Sequence, residues 1–332
     1  MSDERFRWLH LSDFHVGKDQ YGQCCLFKYI LQNVKQAISD GKPPFAVFIT
    51  GDITNSGAEA EYQTFLDDFF WPLQELLSKT PSSDRFFIVP GNHDVTRSKA
   101  RAVRTHGLLS HIPTLFDPTL DAQFDRAPLL PRFEAFIDND PTAEVVQYHW
   151  ISSIAGCLIR RFKFGSQEIG VLCLNSAWLS DEGDDRHNLS PGKGILEKGL
   201  EDLQDAELVF VLAHHPIDWF VDEEVSSIRS LLGNRPTVYL FGHLHKTSGS
   251  PQNVGTGGFL PIQAGAAFQA REDEKWINRI VWGELDAEAG TVRVIPLLWS
   301  RDHQEWSTDT TAFPSAFRVS GEDCWQLTLP AR

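Results

Sequence analysis

The sequence predicts an α/β fold in which short buried strands alternate with helices. Three observations predict it: short apolar runs rich in Val, Ile and Phe, helical stretches between the first of these runs, and polar residues directly after every run. Runs of four to six such residues are typical of buried strands, and a helix between two of them is typical of a parallel crossover. The runs span residues 6–11, 45–50, 86–89, 208–213 and 238–241.

Helices are predicted between the first three strands. Residues 25–39 form the first helical stretch, and residues 59–77 form the second, with large apolar side chains recurring on one face. Asp13, Asp52 and Asn92 follow the three strands and lie about 40 residues apart, which is enough for a strand, a helix and a return. Because ligands gather at the carboxyl ends of strands in α/β sheets, we expect a site there.

The alternating pattern breaks after residue 95. Residues 97–109 and 122–138 are predicted to be helical, with Pro113 and Pro118 marking the segment between them. A stretch of this length exceeds what a simple crossover requires. We therefore predict a helical insertion or cap at about residues 95–150.

Strand signals return in the second half of the chain. Residues 154–164 and 168–175 predict a hairpin that turns at Gly165 and Ser166, and residues 276–298 predict another that turns near Ala289 and Gly290. Residues 301–324 show no regular pattern, and a final strand is predicted at 325–329. We expect one catalytic domain over residues 1–300, with residues 301–332 as an extension packed on it.

Composition limits the class of protein. The net charge of −15 opposes a broad, nonspecific grip on nucleic acid or an anionic membrane. The five cysteines match neither a disulfide framework nor a zinc motif, and no apolar run approaches the length of a membrane span. We therefore expect a cytoplasmic protein without a membrane anchor.

The polar clusters after the strands supply metal-ligand chemistry. Side chains two positions apart on an extended segment point the same way, so Asp13 with His15, and His243 with His245, can each converge on one site. The donors are carboxylates, imidazoles and an amide without a thiolate, which favours manganese, iron or zinc. A closed structural metal site would instead be rich in cysteine.

The motifs Asp13-Phe14-His15, Gly51-Asp52, Gly91-Asn92-His93-Asp94, His214-His215-Pro216 and Gly242-His243-Leu244-His245 together resemble the calcineurin-like metallophosphoesterase superfamily. The resemblance runs from about residue 6 to the hairpin at residue 276. It implies a four-layer αββα sandwich of two mixed β-sheets flanked by helices, a fold that some schemes class as α+β.

The resemblance also implies a ligand set for two divalent ions, Mn²⁺, Fe²⁺/Fe³⁺ or Zn²⁺, about 3.5–4 Å apart. Asp13, His15 and His245 would hold the first ion. Asn92, His214 and His243 would hold the second, and Asp52 would bridge both. His215 would support the ligands or pack in the core.

The resemblance places His93 over the scissile phosphate. There it would protonate the leaving oxygen or stabilise its charge, while hydroxide bridging the metals attacks phosphorus. Asp94 has two interpretations: it orients His93, as carboxylates often do for histidines, or it stabilises a local turn.

Other features carry less weight. Arg97, Arg101 and Arg104 are spaced as on one helix face, which predicts either a solvated surface or a phosphate-binding rim. The acidic loop at residues 181–185, followed by His187, is interpreted as surface, although in some relatives a loop here lines the substrate pocket. The ten tryptophans are interpreted as core or sheet-packing residues and not as base-stacking platforms.

The leading hypothesis is a phosphoesterase that hydrolyses phosphate mono- or diesters, with a nucleotide or another small phosphodiester as substrate. A nuclease of the same superfamily is the alternative enzyme, disfavoured by the acidic balance. A third hypothesis is a non-catalytic sensor or scaffold module of a bacterial signalling or defence protein. The sequence leaves the substrate, the native metal and the oligomeric state open.

Overall fold

The computed structural model describes residues 5–18, 20–80, 82, 84–100, 105–143, 149–181, 185–268, 277–286 and 289–330. Two mixed β-sheets form the centre of the molecule. In chain order the strands are β1 Phe6–Leu11, β2 Ala46–Thr50, β3 Phe86–Val89, β4 Cys157–Phe164, β5 Gln167–Leu174, β6 Leu208–Leu212, β7 Thr237–Phe241, β8 Ser248–Gly249, β9 Gln252–Val254, β10 Gly257–Gln263, β11 Arg279–Asp286, β12 Thr291–Ser300, β13 Glu305–Thr308 and β14 Trp325–Thr328.

Helices connect and cover the strands. The α-helices are α1 Gln20–Ser39, α2 Glu59–Phe65, α3 Trp71–Leu77, α4 Arg97–Ala100, α5 Ile112–Leu115, α6 Leu120–Arg126, α7 Glu134–Asn139, α8 Lys193–Asp202 and α9 Asp222–Gly233. A π-helical segment, Leu66–Phe70, joins α2 to α3, so residues 59–77 form one continuous helical stretch, as the sequence predicts. No helix in the described part of the chain combines the length and apolar character needed to cross a bilayer.

The first sheet has the order β13-β12-β11-β1-β2-β3, with β14 also paired to β12. Strands β1, β2 and β3 are parallel to one another, whereas β11 runs antiparallel to β1. The second sheet has the order β4-β5-β6-β7-β10-β8, with β9 paired to β10, and strands β5, β6, β7 and β10 run parallel. Both sheets are therefore mixed, as the family resemblance implies.

Aromatic side chains fill the space between the two sheets. The ring centroids of Trp8 and Phe210 lie 5.0 Å apart, and those of Phe48 and Phe210 lie 5.1 Å apart. Helix α1 covers the outer face of the first sheet, where Asn33 accepts a hydrogen bond from the Trp282 indole at 2.9 Å. Helices α8 and α9 pack on the second sheet. The result is the four-layer αββα sandwich, in which the central strands of each sheet are buried on both faces.

Both predicted hairpins are present. Strands β4 and β5 pair antiparallel across Gly165 and Ser166, and β11 pairs with β12 across a turn that includes Gly290. Strand β14 confirms the predicted last strand, whereas β13 lies in a segment for which no strand was predicted. The division into a catalytic domain and a C-terminal extension stays a prediction.

The insertion is more broken than predicted. The stretch at 97–109 begins with α4, only four residues long, residues 101–104 lie outside the described residues, and a 3₁₀-helix, Thr105–His111, follows. The stretch at 122–138 divides into α6, a 3₁₀-helix at Ala127–Phe133, and α7. Pro128 and Pro131 lie in that middle segment, and they interrupt the helix because proline cannot donate the backbone hydrogen bond.

Candidate metal centre and adjoining cavity

All seven predicted metal ligands lie together at the carboxyl ends of five strands. Strands β6 and β7 are parallel neighbours in the second sheet, and strands β1, β2 and β3 are parallel neighbours in the first. Their side chains therefore meet where the two sheets adjoin. The ligands are Asp13 and His15 after β1, Asp52 after β2, Asn92 after β3, His214 after β6, and His243 and His245 after β7.

Asp13, His15 and His245 form the first cluster. The Nε2 atoms of His15 and His245 lie 3.0 Å apart, and Asp13 Oδ1 lies 3.2 Å from the latter and 3.9 Å from the former. These separations between the three atoms are those expected for ligand atoms that each lie about 2.0–2.2 Å from one ion. Asp13 Oδ1 is fully buried, and no described residue gives it a hydrogen bond of acceptable geometry. A buried carboxylate oxygen in this state is costly unless a cation binds it, so the cluster fits a metal ion.

Asn92, His214 and His243 form the second cluster. Asn92 Oδ1 lies 3.1 Å from His214 Nε2 and 3.0 Å from His243 Nδ1, and these two nitrogens lie 3.3 Å apart. The other nitrogen of His214, Nδ1, donates a hydrogen bond to the Thr50 carbonyl oxygen at 2.7 Å. That bond fixes the ring orientation and directs the Nε2 lone pair towards the cluster, which is a common arrangement for metal-binding histidines.

Asp52 lies between the two clusters. Its ligand atoms lie within 4.8 Å of those of Asp13 and His214, and also of His15 and His93. Oδ2 is 3.3 Å from His214 Nε2, while Oδ1 accepts a hydrogen bond from the His93 backbone N–H at 2.8 Å. This one carboxylate can therefore contact ions in both clusters.

Two of the predicted imidazole ligands are neutral at pH 7, and negative charge surrounds a third. Burial lowers the pKa of His15 to about 3 and that of His243 to about 4, so both imidazoles are neutral and offer a lone pair. Burial acts to raise the pKa of Asp52, but the neighbouring His214 and His93 outweigh it and hold that pKa well below its usual value. Burial acts to lower the pKa of His214, but the charges of Asp52 and Asp13 raise it to about 9. The negative charge around His214 therefore favours a cation.

The backbone at the ligands differs from the extended geometry that the sequence argument assumed. Asp13, His15 and Asp52 have φ angles of 57°, 46° and 53°, and His243 and His245 have φ angles of 71° and 55°. Residues other than glycine rarely occupy this left-handed region, and strained residues cluster at functional sites. The paired ligands do converge, but they do so through tight left-handed turns.

Two glycines permit the close approach of these turns. A Cβ atom on Gly91 would overlap the Asp52 carboxylate, and a Cβ atom on Gly242 would overlap the Ser12 hydroxyl beside Asp13. The glycines of the Gly-Asn-His-Asp and Gly-His-Leu-His motifs thus hold the loops of β1, β2, β3 and β7 together.

His93 borders the centre without joining either trio. Its Nδ1 atom donates a hydrogen bond to the Asn55 carbonyl oxygen at 2.8 Å, and its ring centroid lies 4.7 Å from that of His15. Since Nδ1 is engaged by a carbonyl group, the Nε2 atom is the one left for a proton transfer. The ring also lines the cavity next to the metal ligands.

Asp94 does not orient His93, so that interpretation is wrong. Its carboxylate accepts hydrogen bonds from the backbone N–H groups of Gly91, Ile53 and Thr54 at 2.9, 3.3 and 3.0 Å. The buried hydroxyl of Tyr62 adds another at 3.0 Å. The alternative interpretation applies: Asp94 stabilises the turns that carry Asn92 and Asp52.

His215 packs beside His243, one of the predicted metal ligands. The Ser176 hydroxyl accepts the backbone N–H groups of His214 and His215, both at 3.1 Å, and lies 2.9 Å from His215 Nδ1. This arrangement fixes the His215 ring, whose centroid is 4.6 Å from that of His243.

A cavity of about 580 Å³ opens beside the second cluster. Arg97 of the predicted arginine set lines it, whereas Arg101 and Arg104 lie outside the described residues. The cavity is lined by Asn92, His93, Val95, Arg97, Ala100, Ser180, Asp181, Asp185, Trp219 and His243.

One interpretation from the sequence is wrong here, and another is incomplete. Asp185 is not a surface residue: it is buried, and burial raises its pKa to about 6. Trp219 is half-buried and packs against the core, but it also lines the cavity, with its ring centroid 4.1 Å from that of His243. Its position four residues after His215 was the available signal, but proximity in sequence alone could not show which way the indole faces.

The protein-family model described as "Calcineurin-like phosphoesterase" matches residues 6–247. An uncharacterized metallophosphoesterase-like protein, YydB of Bacillus subtilis (strain 168), is 22% identical over 312 residues. The match covers 91% of this chain but 61% of that protein, so the chain spans about three fifths of the length of its curated relative.

Solved structures with detectable similarity include two Vps29 proteins. Vps29 of Entamoeba histolytica, in a complex with Zn²⁺, is 11% identical, with a TM-score of 0.36 and coverage of 97% of this chain and 98% of that one. Vps29 of Chaetomium thermophilum is 12% identical, with a TM-score of 0.36 and coverage of 98% and 100%.

Proposed function

The chain belongs to the calcineurin-like phosphoesterase family, and from this premise we propose that it hydrolyses phosphate esters with two divalent metal ions. Asp13, His15 and His245 would hold one ion. Asn92, His214 and His243 would hold the other, with Asp52 shared between them. The substrate is a phosphate mono- or diester, and we favour a nucleotide or another small phosphodiester.

One observation carries this proposal: two trios of ligand atoms, with spacings of 3.0–3.9 Å in the first and 3.0–3.3 Å in the second, adjoin a single buried carboxylate. The donors are oxygen and imidazole nitrogen, which suits Mn²⁺, Fe²⁺/Fe³⁺ or Zn²⁺. When bound, such ions supply Lewis acidity that polarises phosphoryl oxygens and activates water. Asp13 and Asp52 offset part of their charge, so the loaded site stays positive and attracts a phosphate group.

Groups of the protein itself would transfer the proton to the leaving oxygen and position the Asp52 carboxylate. The hydrogen bond from His93 Nδ1 to the Asn55 carbonyl orients the ring, so that Nε2 can give a proton to the leaving oxygen. The backbone N–H of His93 donates a hydrogen bond to Asp52 Oδ1 at 2.8 Å, which would keep that carboxylate in place to hold the ions. The adjoining cavity would take the organic part of the ester.

The test is hydrolysis of bis(p-nitrophenyl) phosphate and p-nitrophenyl phosphate by protein stripped with a chelator and then reloaded with Mn²⁺, Fe²⁺ or Zn²⁺. We expect activity that returns only with metal, and a loss of activity together with weaker binding of both ions in Asp52→Asn. The matched control is Asp40→Asn, which makes the same change at an exposed carboxylate at the end of α1. Metal-loaded protein that hydrolyses neither ester, nor a cyclic nucleotide, nor single-stranded DNA would refute the proposal.

A further inference from the structure

The cavity next to the second cluster is the natural place for the organic part of a substrate. Asn92 and His243, two ligands of that cluster, form part of its wall, and so does His93. An ester whose phosphate lies at the metals therefore extends its organic group into this space. The volume of about 580 Å³ lies within the range of about 300–1,000 Å³ that is typical of small-molecule sites.

Trp219 gives this cavity a fixed aromatic wall. It ends the 3₁₀-helix Ile217–Trp219, and its backbone N–H bonds to the Pro216 carbonyl oxygen at 3.0 Å. Its own carbonyl oxygen accepts the His187 N–H at 2.9 Å. The indole stands edge-to-face against the His243 ring, with an interplanar angle of 78°. A tryptophan that is fixed in this way and lines an open cavity is suited to stack on a flat ring.

Two carboxylates in the lining can accept hydrogen bonds from a ligand. Asp181 and Asp185 both line the cavity, and Asp185 Oδ1 accepts the backbone N–H of Asp181 at 2.9 Å. The fully buried guanidinium group of Arg132 holds the segment that leads into Asp181 by donating to the carbonyl oxygens of Trp178 and Ser180. Carboxylates that line a cavity favour a ligand that carries N–H donors.

We propose that this cavity binds the base of a small nucleotide ester, with Trp219 stacked on the ring and Asp185 facing an exocyclic amino group. The inference rests on the proposed phosphoesterase activity and narrows its substrate. A cationic head group would also suit an aromatic ring beside carboxylates, but Arg97 in the same lining opposes it. The limited volume favours one nucleoside over a polynucleotide chain.

The experiment compares two diesters with the same reacting bond and leaving group: the p-nitrophenyl ester of adenosine 5′-monophosphate and that of ribose 5-phosphate, which lacks a base. We expect the wild-type protein to have the higher kcat/KM for the adenosine compound. Trp219→Ala should lower the adenosine-to-ribose ratio of kcat/KM about 5- to 160-fold, which is about 1–3 kcal/mol per stacked base. Trp219→Phe, which keeps a ring, should retain most of that ratio.

A control variant and one further measurement test the contributions of Trp219 and Asp185 separately. Trp71→Ala removes a 43% exposed tryptophan from α3 and should leave the ratio unchanged. Asp185→Asn should lower the ratio of kcat/KM for the adenosine diester to kcat/KM for the corresponding purine riboside diester. Purine riboside has the same ring system as adenosine without the amino group.

Several outcomes overturn the inference. One is an adenosine-to-ribose ratio of kcat/KM near one in the wild-type protein, and another is a ratio in Trp219→Ala equal to that of the wild type. A third is faster turnover of a choline diester than of the adenosine diester. Failure of the proposed function gives a different result, since then the ribose diester, which needs only the metals, is not hydrolysed either.

Discussion

Replacing His93 with alanine tests whether this residue donates a proton in the reaction or binds a metal ion. The ring lies at the edge of both trios and lines the cavity, and its Nδ1 atom is held by the Asn55 carbonyl. The substitution removes one part-buried hydrogen bond, worth about 0.5–1.5 kcal/mol of folding free energy. It removes none of the seven proposed metal ligands.

The larger effect should be on the rate. A lost general acid slows a reaction by about 10²–10⁴-fold, which raises the activation barrier by about 3–5 kcal/mol. We therefore expect His93→Ala to keep both ions and to lose most of its kcat. His303→Ala, the same change at an exposed histidine, should affect neither quantity.

The assay is kcat for a series of aryl phosphodiesters whose leaving phenols rise in pKa, together with the metal content of each protein. A good leaving group needs little protonation, so the deficit of His93→Ala should grow along the series. Loss of a metal ion in the variant would refute the assignment, because His93 also lies near His15 and Asp52 in a group that could hold an ion. An equal deficit for every leaving group would exclude proton donation.

Three further predictions follow from single contacts. Gly242→Ala should reduce the metal content measured by elemental analysis, because its Cβ would collide with the loop after β1; normal metal content would show that the loops can separate. Tyr62→Phe should lower the free energy of unfolding in urea by about 1–3 kcal/mol, since the buried carboxylate of Asp94 loses a donor; an unchanged value would mean that water replaces it. Arg97→Ala should raise KM for the physiological phosphoester more than for bis(p-nitrophenyl) phosphate, whereas Lys99→Ala, which removes an exposed ion pair, should change neither; an equal rise for both substrates would point to damage at the metal centre.

The sequence predicts that the seven proposed ligands lie close together, because each one follows a buried strand. Parallel strands present their carboxyl ends at one edge, so Asp13, Asp52 and Asn92 had to lie close together. The pairing of the strands into two separate sheets does not follow from the runs themselves, and only the family resemblance implied it. Strands β8 and β9 are two and three residues long, too short to leave a pattern.

The interpretations that failed depend on tertiary contacts. Asp94 follows His93 in sequence, yet its carboxylate turns to the backbone of the neighbouring loop and to a hydroxyl from α2. Asp185 belongs to an acidic run that looks solvated, but its side chain is buried and interacts electrostatically with the buried Arg132, about fifty positions earlier. No local pattern reveals such partners.

The left-handed turns at the predicted ligands also indicate how the sequence would change if metal binding were no longer selected. Each non-glycine residue held at positive φ costs on the order of 1–2 kcal/mol relative to a residue that adopts this conformation freely. Asp13, His15, Asp52, His243 and His245 all have positive φ angles, and bound ions would help to offset the cost. In a descendant that no longer needs metal, glycine or asparagine at these five positions would make the fold more stable. The ligand positions are therefore the first that we expect to change once catalysis is no longer selected.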